Sequence, residues 1–372
     1  MFGRLGLFFT MFFLLFAESA RTQEIFEYNR PLRALGMGNV YSVFVRDVDA
    51  TTVNPAALAF VSAISWELVD AAFGVNGLDA YEDFRSMTSI SSPSDYDQIV
   101  GKKIWISLFA KTALVLPYFG FTAYNDGKLS AVIRNPAYPE FDVNFMNDTG
   151  LAFAGALPVG PLASVGFGVK RVTRWGGAQT IGLGTIASGD SSSLVDQFQN
   201  KGIGYGLDLA FMMKIPGALS PTVALTWMDV GSTAFAKTNG SEAPPRIHDN
   251  LSLGIGSTID LPGLDISTGM EYRHITEDGL QIGKKLHFGT EFSLPFIDLR
   301  AGLSQGYPTF GAGFNFFFMR LDAASYKVET GDYPGQSPES RIQVGLSFEL
   351  SVDADFKFYA KDGKKRKLKQ RR

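Results

Sequence analysis

Glu271, Glu291 and Arg300 stand on three successive segments in which apolar residues alternate with small or polar ones. Side chains of a strand point to opposite faces with a period of two residues. Glu271 therefore shares a face with Gly269 and Arg273, Glu291 with Gly289 and Ser293, and Arg300 with Asp298 and Gly302. Met270, Phe288, Phe292, Leu299 and Leu303 face the other way. Two carboxylates and a guanidinium on neighbouring strands can form a cluster, because charges taken out of water need partners. Lys170, Asp208, Lys214, Arg273, Asp298 and Glu349 fall on the same kind of face and extend the set. A network that pins another part of the chain is the simpler chemistry; a transport relay is the alternative.

Other chemistries find no support. Ser, His and Asp are present, but no G-x-S-x-G places a nucleophile. Gly166-Phe167-Gly168 lacks the strand-to-helix setting of a phosphate loop. With three His and no Cys, neither a metal site nor a disulfide is expected. The chain reads as a non-enzyme without a cofactor, and no nucleic-acid partner is expected.

The elements that must position these residues are strands. Candidates run near 63–73, 113–124, 128–137, 147–157, 163–175, 202–214, 221–230, 249–260, 264–275, 285–294, 297–305, 308–318, 320–328 and 341–351. The count is about fourteen, and single-chain outer-membrane barrels use an even number. Asn125-Asp126-Gly127, Pro158 to Pro161, Pro216-Gly217, Leu261-Pro262-Gly263 and Pro295-Phe296 mark tight connections. They alternate with long gaps near 74–112, 176–201, 231–248 and 329–340. Short turns on one side and long loops on the other are the mark of an outer-membrane barrel. The expected fold is an all-β, transmembrane antiparallel barrel with the oily face toward lipid and the polar face toward the lumen. Trp66, Trp105, Trp175, Trp227, Tyr118, Tyr124, Tyr272 and Tyr307 lie toward strand ends and loops, as an interfacial girdle would.

The 372 residues include 40 Gly and 32 Phe, which suit a crowded inner face and a lipid-facing outer one. Residues 1–19 read as a signal peptide: Arg4, then an apolar run from Leu5 to Ala17, then Ala17-Glu18-Ser19. That run falls short of the roughly 20 residues a spanning helix needs. Export directs the chain to the outer membrane of a double-membraned bacterium. The formal charge of −3 conceals a basic end, since residues 361–372 hold eight basic residues against Asp362 alone. Residues 352–372 are expected to be a solvated periplasmic tail.

Residues 26–62 precede the first alternating segment and do not alternate themselves. Arg33-Ala34-Leu35-Gly36-Met37-Gly38, then Asp47 and Asp49, then Asn54-Pro55-Ala56-Ala57-Leu58 resembles the hatch segment of FadL-type long-chain fatty-acid transporters and their PorV-like relatives. Ala57 stands where glycine is usual. Gly269 to Tyr272 and Leu299 to Leu303 are similar to the PorV-like branch. The resemblance implies a fourteen-stranded barrel, residues 63–351, with residues 20–62 as a hatch in its pore. It also implies that Asn54-Pro55-Ala56 contacts the barrel wall, the Asn side chain bonding to lumen groups. On the residues alone, the same tripeptide reads as a helix start, Asn capping and Pro at the first position.

In the first long gap, Ser92 to Asp97 form a good helix start, followed by Ile99 to Ile106. This stretch reads either as an outer groove for a lipid-like ligand, formed by Lys102, Lys103 and Trp105 with the two lysines attracting a carboxylate, or as a loop helix packed over the barrel mouth, which is preferred. The functional expectation is passive uptake of hydrophobic compounds such as long-chain fatty acids across the outer membrane, with its lipid bilayer as the barrel's surroundings. The alternative is a PorV-like scaffold for secretion or attachment of a protein partner.

Overall fold

The computed structural model describes residues 30–77, 103–134, 140–182, 198–217 and 219–353. The expected signal peptide, Lys102 with the helix start before it, and the basic tail lie outside the described residues. Fifteen strands follow one another: β1 (Ala63–Val75), β2 (Lys103–Leu116), β3 (Phe119–Arg134), β4 (Glu140–Val159) and β5 (Ala163–Gly182). Next come β6 (Lys201–Lys214), β7 (Thr222–Met228), β8 (Phe235–Asn239), β9 (Asn250–Leu261) and β10 (Leu264–Tyr272). The last are β11 (Leu286–Ser293), β12 (Ile297–Ser304), β13 (Tyr307–Phe316), β14 (Met319–Glu329) and β15 (Pro338–Asp353).

All pairings are antiparallel. β1 pairs with both β2 and β15, and β5 with β6, so the sheet closes on itself. β8 pairs only with β6, near Lys201–Gly204, beside the ring. Fourteen strands therefore form a closed barrel, which leaves no unpaired edge between ring members.

Tight turns gather at one end. Tyr118 (φ 74°) turns β2 into β3, Gly160 (φ 72°) turns β4 into β5, and Phe317 (φ 51°) turns β13 into β14. The opposite end carries the long connections, as the spacing anticipated, with Gln305-Gly306 and the five residues joining β3 to β4 as shorter exceptions.

Three expectations are corrected. Asn125-Asp126-Gly127 is no hairpin; it lies inside β3, paired with Leu108 to Ala110 and with Asn147 to Thr149. The real turn is Pro117-Tyr118. Proline cannot donate to a sheet ladder, so the continuous apolar text around it conceals a strand boundary. Consequently Lys103 and Trp105 belong to β2 and not to a loop. Trp105 and Tyr124 also leave the expected girdle, since both are buried on the inner face.

The outward face is apolar over most of its height, with Leu108, Phe121, Leu151, Phe153, Leu253, Phe288, Leu299 and Phe310 among its half-exposed residues. The inward face holds the charges: Lys111, Lys170, Arg174, Asp208, Glu271, Glu291 and Arg300 are all buried.

Candidate functional site

Residues 31–62 pack against the inner face of the wall, and their apolar side chains form one core with it. After Pro31, α1 (Leu32–Gly36) makes little more than one turn and ends on Met37, Gly38 and Asn39. Gly38 adopts φ +65°, and a Cβ there would lie 2.0 Å from the Phe288 carbonyl oxygen. Gly36 meets the wall in the same way at Gly311, where an added Cβ would stand 2.9 Å from the Cα. Gly289 and Gly302 face Met37 and Gly38. The wall glycines of β11, β12 and β13 thus form a flat bed for the backbone of residues 36–38, which only residues lacking a Cβ allow. The Gly38 amide donates to Thr309 Oγ1 at 2.9 Å.

Beside this bed sits the expected charge network, with new members. Arg33 donates to both oxygens of Glu291, at 2.9 and 2.6 Å. Arg300 donates to Glu291 at 2.6 Å, to Asp322 at 2.7 Å and to Asp298 at 3.1 Å. Arg320 pairs with Asp322 at 2.5 Å. The guanidiniums of Arg33, Arg300 and Arg320 face the carboxylates of Glu291, Asp298 and Asp322, and Asp47 adds a fourth carboxylate beside Arg33. The forked geometry of arginine fits carboxylates two bonds at a time. Asp47 accepts from the Tyr41 hydroxyl at 2.6 Å and lies 3.7 Å from Arg33.

Glu271 does not join this cluster. Its Oε1 accepts from the Tyr41 amide (2.8 Å), the Ser42 amide (2.6 Å) and the Ser42 hydroxyl (2.7 Å). Glu271 lies two strands from Arg300 and is occupied by the chain reversal at residues 41–42. Asp49 pairs with Lys111, which also approaches Glu67 (3.2 Å) and Asp70 (3.3 Å).

The second seat is neutral. α2 (Ala50–Val53) leads to Asn54, whose Oδ1 accepts from the Ala56 amide and caps the 3-10 helix Pro55–Phe60. Its Nδ2 donates to Ser42 O at 2.8 Å. The side chain thus bonds within its own segment and not to the lumen wall. The wall contact comes from the backbone, with Ser164 Oγ donating to Ala56 O at 2.7 Å. A Cβ on Gly166 would lie 2.2 Å from Ala56 N. Ala154 and Ala156 on β4, Ala210 on β6 and Ala224 on β7 leave room for Val53, Ala57 and Leu58.

Other cations of the inner face take separate partners, Arg273 donating to Asn39 O at 3.3 Å. Lys170 donates to Asp208 (2.9 Å) and Asp229 (2.8 Å), and Arg174 forks onto Asp148 at 2.8 and 2.6 Å. Lys214 packs over the Phe60 ring, 3.9 Å from its centroid. Lys103 donates to Thr330 and Ser337 of the β14–β15 loop, and Trp105 stacks under Arg341. Neither is turned toward an outer groove. In the β10–β11 loop, contact with His274 at 3.4 Å holds the Glu277 carboxyl below its usual range. Lys111, Arg174, Asp229, Arg320 and Asp322 escaped the sequence reading. Lys111 sat in the misplaced first gap; Asp229 lies in the turn after β7, Arg320 and Asp322 near the start of β14, and Arg174 inside β5, which runs seven residues beyond its expected end.

Two cavities border the segment, each with about 50 Å³ of free space. One lies among Arg33, Asp49, Glu67, Asp70 and Asp322, the other among Lys170, Asp229, Glu271, Arg273 and His274. Both are rich in charge. Among the described residues no group of three or more His, Asp or Glu is placed to hold a metal.

No protein-family model and no curated relative matches the sequence. Solved structures do. The Pseudomonas putida toluene transporter TodX is 11% identical, with 88% of this chain and 99% of that chain covered at a TM-score of 0.51. The monoaromatic hydrocarbon channel CymD is 10% identical, covering 91% and 100% at 0.51. The Ralstonia pickettii toluene transporter TbuX is 10% identical, covering 86% and 98% at 0.51. The chain shares the fold of these hydrocarbon channels. At such identities the likeness extends to the architecture and not to individual residues.

Proposed function

We propose that the protein is an outer-membrane barrel for passive uptake of hydrophobic compounds, with residues 31–62 as a hatch across its lumen. The observation that carries this reading is the inverted arrangement of a closed ring. Half-exposed Leu, Ile and Phe form its outward belt, while charges line its inside. A monomeric protein in water rarely exposes a contiguous apolar surface beyond a few hundred Å², whereas a spanning barrel requires one. The fold shared with toluene and other monoaromatic hydrocarbon channels supports a hydrophobic cargo, a fatty acid or an aromatic hydrocarbon.

An aromatic ring needs a cavity of roughly 150 Å³, three times what either cavity offers. Passage therefore requires the hatch to shift on its two seats. The alternative, a PorV-like scaffold for a secreted or attached protein, draws on the same observation, because small charged cavities suit a barrel that stays shut. Uptake of labelled toluene and labelled oleate by intact Gram-negative cells with and without the barrel separates the two. Uptake raised several-fold for either compound supports the channel. Rates unchanged by the barrel for both compounds, together with a stoichiometric co-purifying protein, favour the scaffold.

A further inference from the structure

Row by row across β3 to β6, the outward face changes character. Phe121, Phe153, Val169 and Leu207 stand side by side in register and are wholly apolar. The next row is Ala123, Leu151, Arg171 and Tyr205. Above it come Asn125, Thr149, Thr173 and Ile203, and then Trp175 beside Lys201. The apolar belt stops at Arg171. Both Arg171 and Lys201 are exposed, as is Tyr205 at 73%. Among the described residues no Asp or Glu shares these rows, since Asp126, Asp148 and Asp208 all point inward. β12 and β13 differ: Ile297, Leu299, Ala301, Leu303, Phe310, Phe314 and Phe316 carry the outward face with no charge at all.

A cation on the lipid-facing side is costly at the bilayer centre and nearly free at its boundary. Arg171 therefore marks the membrane boundary at the long-loop end. Arg171 and Lys201 are four residues apart in register, about 13 Å at the usual strand rise. Both side chains are long and flexible, and can converge over Thr173. The hydroxyls of Thr149, Thr173 and Tyr205 lie between and beside them as donors. Two cations and three hydroxyls at the top of an apolar wall match an anionic oxygen cluster attached to acyl chains.

We propose that Arg171 and Lys201, with Thr149, Thr173 and Tyr205, form an outward-facing site for the phosphate headgroup of an outer-leaflet lipid. The chains of that lipid would lie against Val169, Leu207 and Phe153. The site rests on the barrel spanning a membrane and is independent of what crosses the lumen, so a barrel that fails to raise uptake still binds the lipid.

The test titrates the full-length barrel in neutral detergent with lipid A and with its dephosphorylated form, reading bound lipid by native mass spectrometry. Arg171→Leu and Lys201→Ser are compared singly and together, with Lys327→Ser on β14 as an outward-facing control. The Leu replacement suits a lipid-facing position, so the single variant folds even where the double does not, and heat-modified mobility checks this. The expected result is binding of the phosphorylated lipid alone, weakened at least tenfold by Arg171→Leu and unchanged by Lys327→Ser. Equal binding of both lipids, or equal affinity of wild type and Arg171→Leu, overturns the proposal.

Discussion

The two walls that hold residues 31–62 do so by different physics. Against β11 to β14, residues 33–38 are held by forked ion pairs and by backbone lying on glycine. Against β4 to β7, residues 53–58 are held by apolar packing onto alanines and a single side-chain bond, from Ser164 to Ala56. The charged seat is directional and sensitive to the loss of any one partner, because the remaining ions stay buried. The neutral seat loses only area when disturbed, and degrades in proportion. If the segment moves as a hatch, the neutral seat is the one that can slide and the charged seat the one that serves as pivot.

Glu291→Gln strikes the charged seat hardest, leaving Arg33 and Arg300 short of their shared anion. A loss of about 3–5 kcal/mol is expected from breaking a buried pair, measured by urea unfolding of the barrel in lipid vesicles. Hydrogen exchange should rise over residues 31–38 and stay unchanged over 54–60; equal rises at both would erase the distinction between the seats. Gly166→Ala is the converse. Its Cβ meets Ala56, and overpacking of this kind costs about 1–3 kcal/mol, with exchange now rising over 54–60 alone.

Asn54→Ala removes the cap of the 3-10 helix and its bond to Ser42. About 1 kcal/mol is expected, read in the same unfolding experiment, with no change in the charged seat. The smallest effect concerns pH. Glu277 is held below its ordinary range by His274, so its contribution is present above about pH 4.5 and is lost as pH falls through the lowered value. Because the pair is partly exposed, acid should loosen the β10–β11 loop in hydrogen exchange without unseating residues 31–38.

The barrel was legible because period-two alternation survives wherever one face meets an apolar surroundings, as from Ile266 to Tyr272 and from Ile342 to Leu350. It failed at Pro117, where both flanks are apolar and the turn carries no Asn or Gly. That one error displaced β2 and hid Lys111, and with it the partner of Asp49. Glu291 and Arg300 were identifiable from face and type, and Arg33 from the hatch-like stretch Arg33 to Gly38. That Glu271 serves Tyr41 and Ser42 was not, because an irregular segment has no period from which to read its path.

The closing pair β1 and β15 has a consequence for assembly. β15 emerges last from the ribosome, and the ring is not complete until it meets β1. Residues 31–62 are made before every strand and touch the wall near that junction, Leu32 against Gly345 of β15 and Asp49 against Lys111 of β2, the strand beyond β1. The segment made first thus contacts strands on either side of the seam whose last strand is made last.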